Sequence, residues 1–399
     1  MSLRGLQRLW RAALPAPVRE AAAPAMRQAR RAYVHAAVRR RAGAENLPIR
    51  LVGLFGASHG IGGSARLAAR AFEALGAPAE VVAVGQGLDW RASLRTDEPA
   101  LWVFHLNPPE LIDALAAMGP GRVVGPRFGY WAWELPRAPA EWLTEARLLD
   151  EVWAPSRYAA DAFLGARAPV RVVPHPLFME DYAGVSAGPR QADFQAVALF
   201  DFNSSAARKN PEGAITAFRK AFGDDPACEL VIKTQNGAAH PQALEALRRL
   251  AGPRVRLIDE SWPYEEVKRL LAGADVLLSL HRAEGFGLVM AEAMALGTPT
   301  LATAYSGNLD FMDETNSLLV PARLVPVTDP QGIYRGQTWA EPDVEAAADA
   351  LRRLRQDKAL RARLAEAGRA RVAKALSPET WLSSLPPAVQ AAVAVRRGS

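Results

Sequence analysis

Two glutamates lie eight positions apart in HRAEGFGLVMAEAMALGTPTLA, residues 281–302, and a Gly-Phe-Gly turn follows the first of them. The apolar run ahead of this stretch is typical of a buried strand, so Glu284 falls just past the strand's carboxyl end. Gly285 and Gly287 remove two side chains from the turn, so a ligand can approach the backbone N–H groups closely. A carboxylate beside bare backbone predicts a site for a polar ligand.

A helix is predicted over residues 288–296, because Gly297 follows the last apolar residue and Pro299 lies just beyond. Its N-terminus carries free N–H groups and a partial positive charge, which suit a phosphate. Glu292 lies in the first or second turn, where its carboxylate suits the vicinal hydroxyls of a ribose. The pattern predicts a sugar near Glu284, a pyrophosphate over the turn and a ribose near Glu292. Together these describe a nucleotide-activated sugar.

The stretch resembles the E-x7-E motif of glycosyltransferase family 4, which consists of retaining enzymes with a GT-B fold. The resemblance covers roughly residues 49–375. It implies donor binding by the whole motif, with Glu284 as a catalytic residue that positions the sugar hydroxyls. The matching residues are Glu284, Gly285, Phe286, Gly287, Leu288 and Glu292. It also implies retention of configuration with no dedicated side-chain base, because the leaving phosphate accepts the acceptor's proton.

A basic pair occurs in FDFNSSAARKNPEGAITAFRKAF, after the first strand of the second half of the chain. Family members place such a pair against the donor phosphates, which implies donor contacts for Arg208 and Lys209, with Lys209 catalytic. A lysine is a compact, mobile charge suited to a diphosphate leaving group. Many relatives carry an arginine where this chain has Asn203, which leaves Asn203, Ser204 and Ser205 as polar donor contacts. The alternative is a solvated pair that merely precedes a helix.

No Asp-x-Asp sequence occurs in the chain, so the usual carboxylate pair for a sugar-nucleotide metal is missing. The one cysteine and six histidines have no zinc-ligand spacing either. The sequence therefore predicts transfer without a metal or cofactor, with the diphosphate charge met by the basic pair and the helix N-terminus.

The first half of the chain opens with a glycine-rich loop, GASHGIGGSAR, residues 56–66. The loop resembles the family's turn near the leaving group, which implies that the backbones of Gly62 and Gly63 contact the donor. Alone it is a weak signal, because it does not spell G-x-G-x-x-G and glycine turns after strands also bind dinucleotides. His59 is interpreted as a loop histidine.

Relatives often place a histidine near the transferred sugar, at a strand end where this chain reads VVGPRFGYWAWELP. We expect His105, which ends the preceding strand in VFHLNPPE, to face the cleft and act in its place. Trp131 and Glu134 are the acceptor-site candidates. The alternatives are core packing for Trp131 and a hydrogen-bonded strand end for His105.

Short apolar runs alternate with helical stretches twice along the chain, which indicates an α/β protein of two Rossmann-like domains. The predicted GT-B architecture has a basic N-terminal extension at 1–47 and an acceptor-side domain at 48–175. A donor-side domain follows at 176–376, and a helical tail at 377–399 is expected to pack back on the first domain. Ligands should bind where the carboxyl ends of the strands open into the cleft.

The net charge of +6 is unevenly distributed. Residues 1–43 carry ten arginines and one acid, whereas the rest carries 38 Lys and Arg against 41 Asp and Glu. Apolar residues recur at roughly helical spacing among the arginines: Leu3, Leu6, Leu9, Trp10 and Leu14. Such a segment suits an anionic membrane surface. The alternatives are a helix packed on the body and, less favoured, nucleic-acid binding.

The chain has no run of 18 apolar residues, no signal-peptide core and a single cysteine, Cys228, which predicts a cytoplasmic protein. The basic segment at residues 1–43 would place it peripherally on the cytoplasmic face of the inner membrane. The family resemblance implies a glycosyltransferase that builds cell-surface polysaccharide or glycolipid, with a glycan or lipid-linked glycan as its acceptor. The alternative is a noncatalytic subunit that binds a nucleotide sugar or glycan. The sequence identifies neither the nucleotide base and the sugar of the donor nor the acceptor.

Overall fold

The computed structural model describes residues 16–38, 47–56, 60–85, 98–330, 332 and 334–397. Twelve of its strands form two six-stranded sheets, and two more form a hairpin. The strands of the first sheet are β1 (Ile49–Gly53), β2 (Glu80–Ala83), β3 (Leu101–His105), β4 (Arg127–Tyr130), β5 (Glu151–Ala154) and β6 (Val170–Val172). Those of the second are β7 (Phe194–Leu199), β8 (Cys228–Thr234), β9 (Val255–Asp259), β10 (Val276–Ser279), β11 (Thr300–Thr303) and β12 (Leu318–Val320).

Helices connect the strands and cover both sheets. In the first half they are α1 (Ala16–Ala37), α2 (Gly60–Ala74), α3 (Pro108–Met118), α4 (Ala140–Glu145) and α5 (Arg157–Asp161). The second half contains α6 (Ala206–Lys209), α7 (Pro211–Phe222), α8 (Pro241–Leu250), α9 (Tyr264–Ala272) and α10 (Leu288–Leu296). The last four are α11 (Val344–Gln356), α12 (Lys358–Ala375), α13 (Pro378–Ser384) and α14 (Pro387–Arg397).

Both sheets are entirely parallel. The strand order is β2-β1-β3-β4-β5-β6 in the first sheet and β12-β11-β10-β7-β8-β9 in the second. Because the chain reverses its direction of progress once in each sheet, each has a switch point where two loops diverge, between β1 and β3 and between β7 and β10. The predicted pair of Rossmann-like domains is confirmed.

A β-hairpin, which the sequence analysis did not predict, interrupts the second domain after β12. Its strands, β13 (Ala322–Pro326) and β14 (Thr338–Pro342), pair antiparallel. Trp339 of the hairpin is buried in the same apolar cluster as Trp131 and Trp133 of the first domain. The hairpin therefore connects the two domains by side-chain packing.

The two ends of the described chain both pack on the first domain. Helix α1 buries Val34 in the first domain's apolar cluster, and its Arg30 and Arg31 form ion pairs with Asp113 and Glu145. Helices α13 and α14 bury a set of apolar side chains against strand β1 and helix α2, namely Trp381, Leu385, Val389, Ala392 and Val393.

The apolar residues predicted to contact a membrane, Leu3, Leu6, Leu9, Trp10 and Leu14, lie outside the described residues. Within the described residues, no helix is both long and apolar enough to cross a membrane.

Candidate active site

Lys209 and Glu284 meet at the switch point of the second sheet. Lys209 ends α6, in the loop after β7, and Glu284 lies in the loop after β10. Because β7 and β10 are neighbouring parallel strands, their carboxyl-end loops emerge side by side. The Lys209 ammonium forms an ion pair with Oε1 of Glu284, which is only 8% exposed.

The Glu284 carboxylate is ionised although it is buried. Burial by itself favours the neutral acid, but Lys209 and then Arg208 outweigh it and lower the pKa of Glu284 to about 2. Arg208 contributes its Nη1, which lies 3.2 Å from Glu284 Oε2. The backbone N–H of Glu284 also donates to Ser306 Oγ at 2.9 Å, which fixes the loop. The site therefore presents a fixed carboxylate beside a lysine that can be drawn to a second anion.

Arg208 does not extend into open space, contrary to the predicted phosphate contact. Its side chain is 3% exposed, and it donates to the carbonyl oxygens of Ala283 at 2.9 Å and Ser204 at 3.0 Å. Because Nη1 and Nη2 are already engaged, Arg208 holds the loop and Glu284 in place. The predicted contact of its guanidinium with donor phosphates is therefore wrong for this arrangement.

The other residues of this loop are more accessible. Asn203 is exposed, and its Oδ1 lies 3.0 Å from Nε2 of His240. Ser204 is partly exposed, whereas Ser205 is buried and its hydroxyl accepts from the backbone N–H of Arg208 at 3.3 Å. The donor contacts of Asn203 and Ser204 stay predictions.

The two glycines of the Gly-Phe-Gly turn lie where a side chain would be strained or crowded. Gly287 has a φ of +95°, a conformation that side-chain-bearing residues rarely adopt, and a Cβ there would lie 2.4 Å from Cε of Met290. A Cβ on Gly285 would lie 3.3 Å from the carbonyl oxygen of Trp133, in the first domain. The Gly285 carbonyl accepts from Ser156 Oγ, also in the first domain, at 2.6 Å. The turn is thus packed directly against the other domain.

Phe286 contributes no side chain to the site. Its ring is buried, with its centroid 4.9 Å from that of His175 in an edge-on arrangement and 5.1 Å from that of Phe311. The prediction that Phe286 binds the donor can therefore hold only for its backbone.

Helix α10 begins where the sequence predicted, with Gly287 as its N-cap residue and Leu288 as its first residue. The backbone N–H groups of Met290 and Ala291 donate to the Gly287 carbonyl, at 2.9 and 3.2 Å. Those of Leu288 and Val289 have no carbonyl one turn earlier within the helix. This end of the helix therefore carries N–H groups that have no partner within the helix, together with a partial positive charge.

Glu292, one turn further along α10, has a different environment from Glu284. The Tyr264 hydroxyl hydrogen-bonds to its carboxylate, and the hydroxyls of Tyr264 and Tyr182 lie 3.2 Å apart. Burial raises the pKa of Glu292 to about 7, against the opposing effects of Tyr264 and Lys268. The carboxylate of Glu284 is therefore ionised at neutral pH, whereas the carboxylate of Glu292 titrates near neutral pH.

His105 does not face the cleft as predicted. It is 2% exposed, its Nδ1 lies 3.1 Å from Ser64 Oγ, and its ring stacks on Tyr130 with centroids 4.5 Å apart. Burial lowers the pKa of His105 to about 3, so its imidazole is neutral. Its burial and its contact with Ser64 fit the alternative of a hydrogen-bonded strand end.

Gly62 and Gly63 lie in the first turn of α2 and not in a loop, because this helix begins at Gly60. Their N–H groups are among the first four of the helix, which have no intrahelical partner. Their predicted contact with the donor stays a prediction, and residues 57–59, which include His59, lie outside the described residues.

Trp131 is a core residue, which corrects its assignment to the acceptor site. It is 0% exposed, and its ring packs edge-on against Trp142 and Phe163, with centroids 6.3 and 5.6 Å away. Periodicity could not distinguish a strand-end tryptophan in the core from one in the cleft.

Glu134 does reach the site from the first domain. Its Oε1 lies 3.9 Å from Arg208 Nη2, and its Oε2 accepts a hydrogen bond from the Tyr334 hydroxyl at 3.2 Å. Tyr334 was not predicted, because it belongs to the hairpin segment whose packing depends on the other domain. The acceptor role of Glu134 stays a prediction.

In the described part of the chain, no group of three or more His, Cys, Asp or Glu is arranged to hold a metal ion.

Comparisons with known proteins place this site within a known domain. Residues 202–371 match the family model described as Glycosyl transferases group 1, a span that contains Lys209, Glu284 and Glu292. The chain is 34% identical over 138 residues to a D-inositol 3-phosphate glycosyltransferase from Nocardioides sp.. That match covers 33% of this chain and 26% of the relative, so the chain spans about a quarter of the length of the curated relative it matches.

Solved structures resemble the whole two-domain architecture. A sucrose-phosphate synthase from Thermosynechococcus elongatus superposes with a TM-score of 0.63 at 17% identity, covering 88% of this chain and 98% of that chain. Anabaena HepE, solved in complex with UDP and glucose, gives a TM-score of 0.60 at 17% identity, covering 85% of this chain and 100% of that chain. At such identities the likeness shows the fold, and the predicted GT-B fold is confirmed.

Proposed function

We propose that this chain is a retaining glycosyltransferase that transfers a sugar from a nucleoside-diphosphate sugar to an acceptor hydroxyl. The observation that carries the proposal is the Lys209–Glu284 ion pair at the β7/β10 switch point, within the region that matches glycosyl transferases group 1. Ligands of open α/β sheets bind at such switch points.

The two partners have separate roles. Glu284, ionised and fixed by Ser306 and Arg208, accepts hydrogen bonds from the hydroxyls of the transferred sugar. Lys209, which is less buried than Arg208, turns from Glu284 to the diphosphate as negative charge develops on the leaving group. The unpaired N–H groups at the start of α10 stabilise the same charge, and Glu292 holds the ribose hydroxyls.

The proposed reaction needs no side-chain base. The acceptor oxygen bonds to the anomeric carbon on the face that the diphosphate leaves, the bond between that carbon and the phosphate oxygen breaks, and the phosphate takes the acceptor's proton. The buried, neutral His105 has no step in this scheme. The proposal includes no metal, so transfer is expected to persist in excess EDTA, and its loss on chelation followed by rescue with Mg²⁺ would exclude this part.

The alternative, a noncatalytic subunit that binds a nucleotide sugar, is less well supported. It was considered because the chain lacks the histidine that relatives place near the transferred sugar and has Asn203 where many relatives carry an arginine. The lysine and carboxylate to which this proposal assigns the chemistry are both present and in contact. Binding of donor without turnover on any acceptor would favour the alternative.

We also propose a glycan or lipid-linked glycan as the acceptor, in cell-surface polysaccharide or glycolipid synthesis at the cytoplasmic membrane surface. Arg30 and Arg31 of the N-terminal extension pair with acids of the first domain, so the proposed membrane contact rests on the residues before α1. Flotation with anionic vesicles should therefore require residues 1–15, and equal flotation of the chain without them would contradict the proposal.

The test of the main proposal is a donor screen. UDP-, GDP- and ADP-sugars are incubated with the protein, and release of nucleoside diphosphate is compared between wild type and Glu284→Gln. The expected result is release from one donor class, reduced at least about 100-fold in Glu284→Gln. The matched control is Glu314→Gln, an exposed glutamate of the same domain, which should match wild type. If Glu284→Gln releases nucleoside diphosphate at the wild-type rate, the assigned site is rejected. If the wild-type protein releases none from any donor, the proposed function is rejected.

A further inference from the structure

The β13–β14 hairpin extends from the second domain and is anchored on the first. Backbone N and Nη2 of Arg137 donate to Gln337 Oε1 at 3.0 Å and to the carbonyl of Gly336 at 3.1 Å. Val325 and Val327 pack against the apolar cluster of the first domain. Because the segment is held at several points on the first domain, the described residues between those points are held in place.

One of those residues, Tyr334, is placed against the candidate active site. Its buried ring packs edge-on against Trp133, with centroids 5.6 Å apart. Its hydroxyl donates to Glu134 Oε2 at 3.2 Å and is also hydrogen-bonded to the Arg208 guanidinium. Burial raises the pKa of Tyr334, so the hydroxyl keeps its proton and remains a donor.

The contacts of Tyr334 continue to the proposed catalytic carboxylate. Arg208 lies between two acids, with Nη2 3.9 Å from Glu134 Oε1 and Nη1 3.2 Å from Glu284 Oε2. Because Arg208 is almost fully buried, its guanidinium cannot turn to solvent when one of these acids moves. A change in the position of Glu134 is therefore transmitted to Glu284.

We propose that Tyr334 is a positioning residue for glycosyl transfer: through Glu134 and Arg208, it fixes the carboxylate of Glu284 across the boundary between the domains. The inference rests on the proposed function and adds to it a residue from an element outside both sheets. Tyr334 touches neither the donor diphosphate nor the ribose in this scheme, so its loss affects turnover more than donor binding.

The variant Tyr334→Phe keeps the ring against Trp133 and removes only the hydroxyl. Glu134 then keeps its 3.9 Å contact with Arg208, and its carboxylate loses the 3.2 Å hydrogen bond from the Tyr334 hydroxyl. We expect kcat to fall about tenfold, at the lower end for loss of a hydrogen bond to a charged group. The KM for the donor should change less than about twofold, because Lys209 and the α10 N-terminus are untouched.

A double-mutant cycle with Glu134→Gln tests whether the hydroxyl acts through Glu134. If it does, the double variant is no slower than the slower single variant, whereas independent effects would multiply. The control is Leu324→Ala, an exposed side chain on β13 of the same hairpin, which should turn over as wild type does. The thermal midpoint of each variant reports any loss of folding.

The outcomes separate this inference from the function it rests on. Wild-type turnover with an unchanged kcat in Tyr334→Phe would overturn the role of Tyr334 alone. A lower thermal midpoint with unchanged kcat would show that the hydroxyl serves only packing, and multiplying effects in the cycle would exclude the route through Glu134. Absence of wild-type turnover with every donor would overturn the proposed function, and the role of Tyr334 with it.

Discussion

The Glu284 carboxylate is ionised although it is buried, and such an arrangement contributes little to the stability of the fold. Burying an ion pair costs desolvation energy that its Coulomb attraction often only offsets, so such pairs are weak contributors to stability. Burial opposes the charge on Glu284, yet Lys209 and Arg208 bring its pKa to about 2. A strongly perturbed group at the switch point of an α/β sheet favours a functional role over a structural one.

Glu292 gives a pH prediction at the residue scale. Its pKa is raised to about 7 by burial, so the carboxylate is protonated below that pH and ionised above it. Only the ionised form accepts hydrogen bonds at both oxygens, as a ribose diol requires. The KM for the donor should fall roughly tenfold from about pH 6 to about pH 8, as for one group of that pKa.

The control for this prediction is Glu292→Gln, which cannot titrate. It should have a raised KM that no longer varies over the same pH range. Initial rates at several pH values with saturating acceptor measure it. A Glu292→Gln variant with the wild-type pH profile would show that another group titrates.

The residues of the motif were predictable from sequence, but the burial of their neighbours was not. Glu284 and Lys209 both follow strands of a parallel sheet, as the alternation of strands and helices predicts, but only the structure shows that β10 and β7 are neighbours. The predicted environments of Arg208, His105 and Trp131 were wrong, because the local sequence pattern does not show which side chains are buried by the other domain or by a neighbouring helix. A polar or aromatic residue at a strand end suits either environment.

At the scale of elements, α10 allows a matched comparison of its two ends. Gly287 and Gly297 flank this helix with φ values of +95° and +77°. An alanine at either position pays about 1–2 kcal/mol for the left-handed conformation. Only at Gly287 would the new Cβ meet another atom, Cε of Met290 at 2.4 Å, whereas nothing lies within 4 Å at Gly297.

We therefore expect Gly287→Ala to destabilise the protein more than Gly297→Ala, and to weaken donor binding through displacement of the α10 N-terminus. Urea unfolding and donor KM, measured for both variants, test this. Equal donor KM values in the two variants would mean that this end of α10 does not contact the donor.

The strands of the first sheet, strands β7 to β11 of the second and helix α10 were readable from sequence, whereas β12 and the hairpin were not. Its strands are five residues each and join across a segment rich in turn formers, so no long periodic pattern marks them. Trp339 and Tyr334 are buried in an apolar cluster that consists largely of first-domain residues. An element stabilised mainly by contacts distant in sequence has little local signal.

At the scale of the whole molecule, the last helices return to the domain where the chain began. Trp381 of α13 is fully buried, with its ring centroid 4.9 Å from that of Phe72 of α2. Trp381→Ala should cost about 3–5 kcal/mol of unfolding free energy, as for other buried large-to-small changes. The control is Val395→Ala, a half-exposed side chain of α14.

Chemical denaturation followed by circular dichroism measures the loss. If Trp381→Ala unfolds at the same urea concentration as Val395→Ala, the terminal helices contribute little to the first domain. If the unfolding curve shows two transitions, the domains unfold separately. Only the transition of the first domain should then shift in Trp381→Ala.

In the proposed reaction, Lys209 binds the donor diphosphate beside Glu284. The most direct test is calorimetric titration of Lys209→Ala with the diphosphate and the monophosphate of the nucleoside that the donor screen selects. Lys220→Ala, an exposed lysine of α7, serves as the control. We predict that Lys209→Ala weakens diphosphate binding roughly 10- to 100-fold and monophosphate binding far less, because a charged hydrogen bond to the second phosphate is lost. Equal weakening of both ligands, or of neither, would contradict the account.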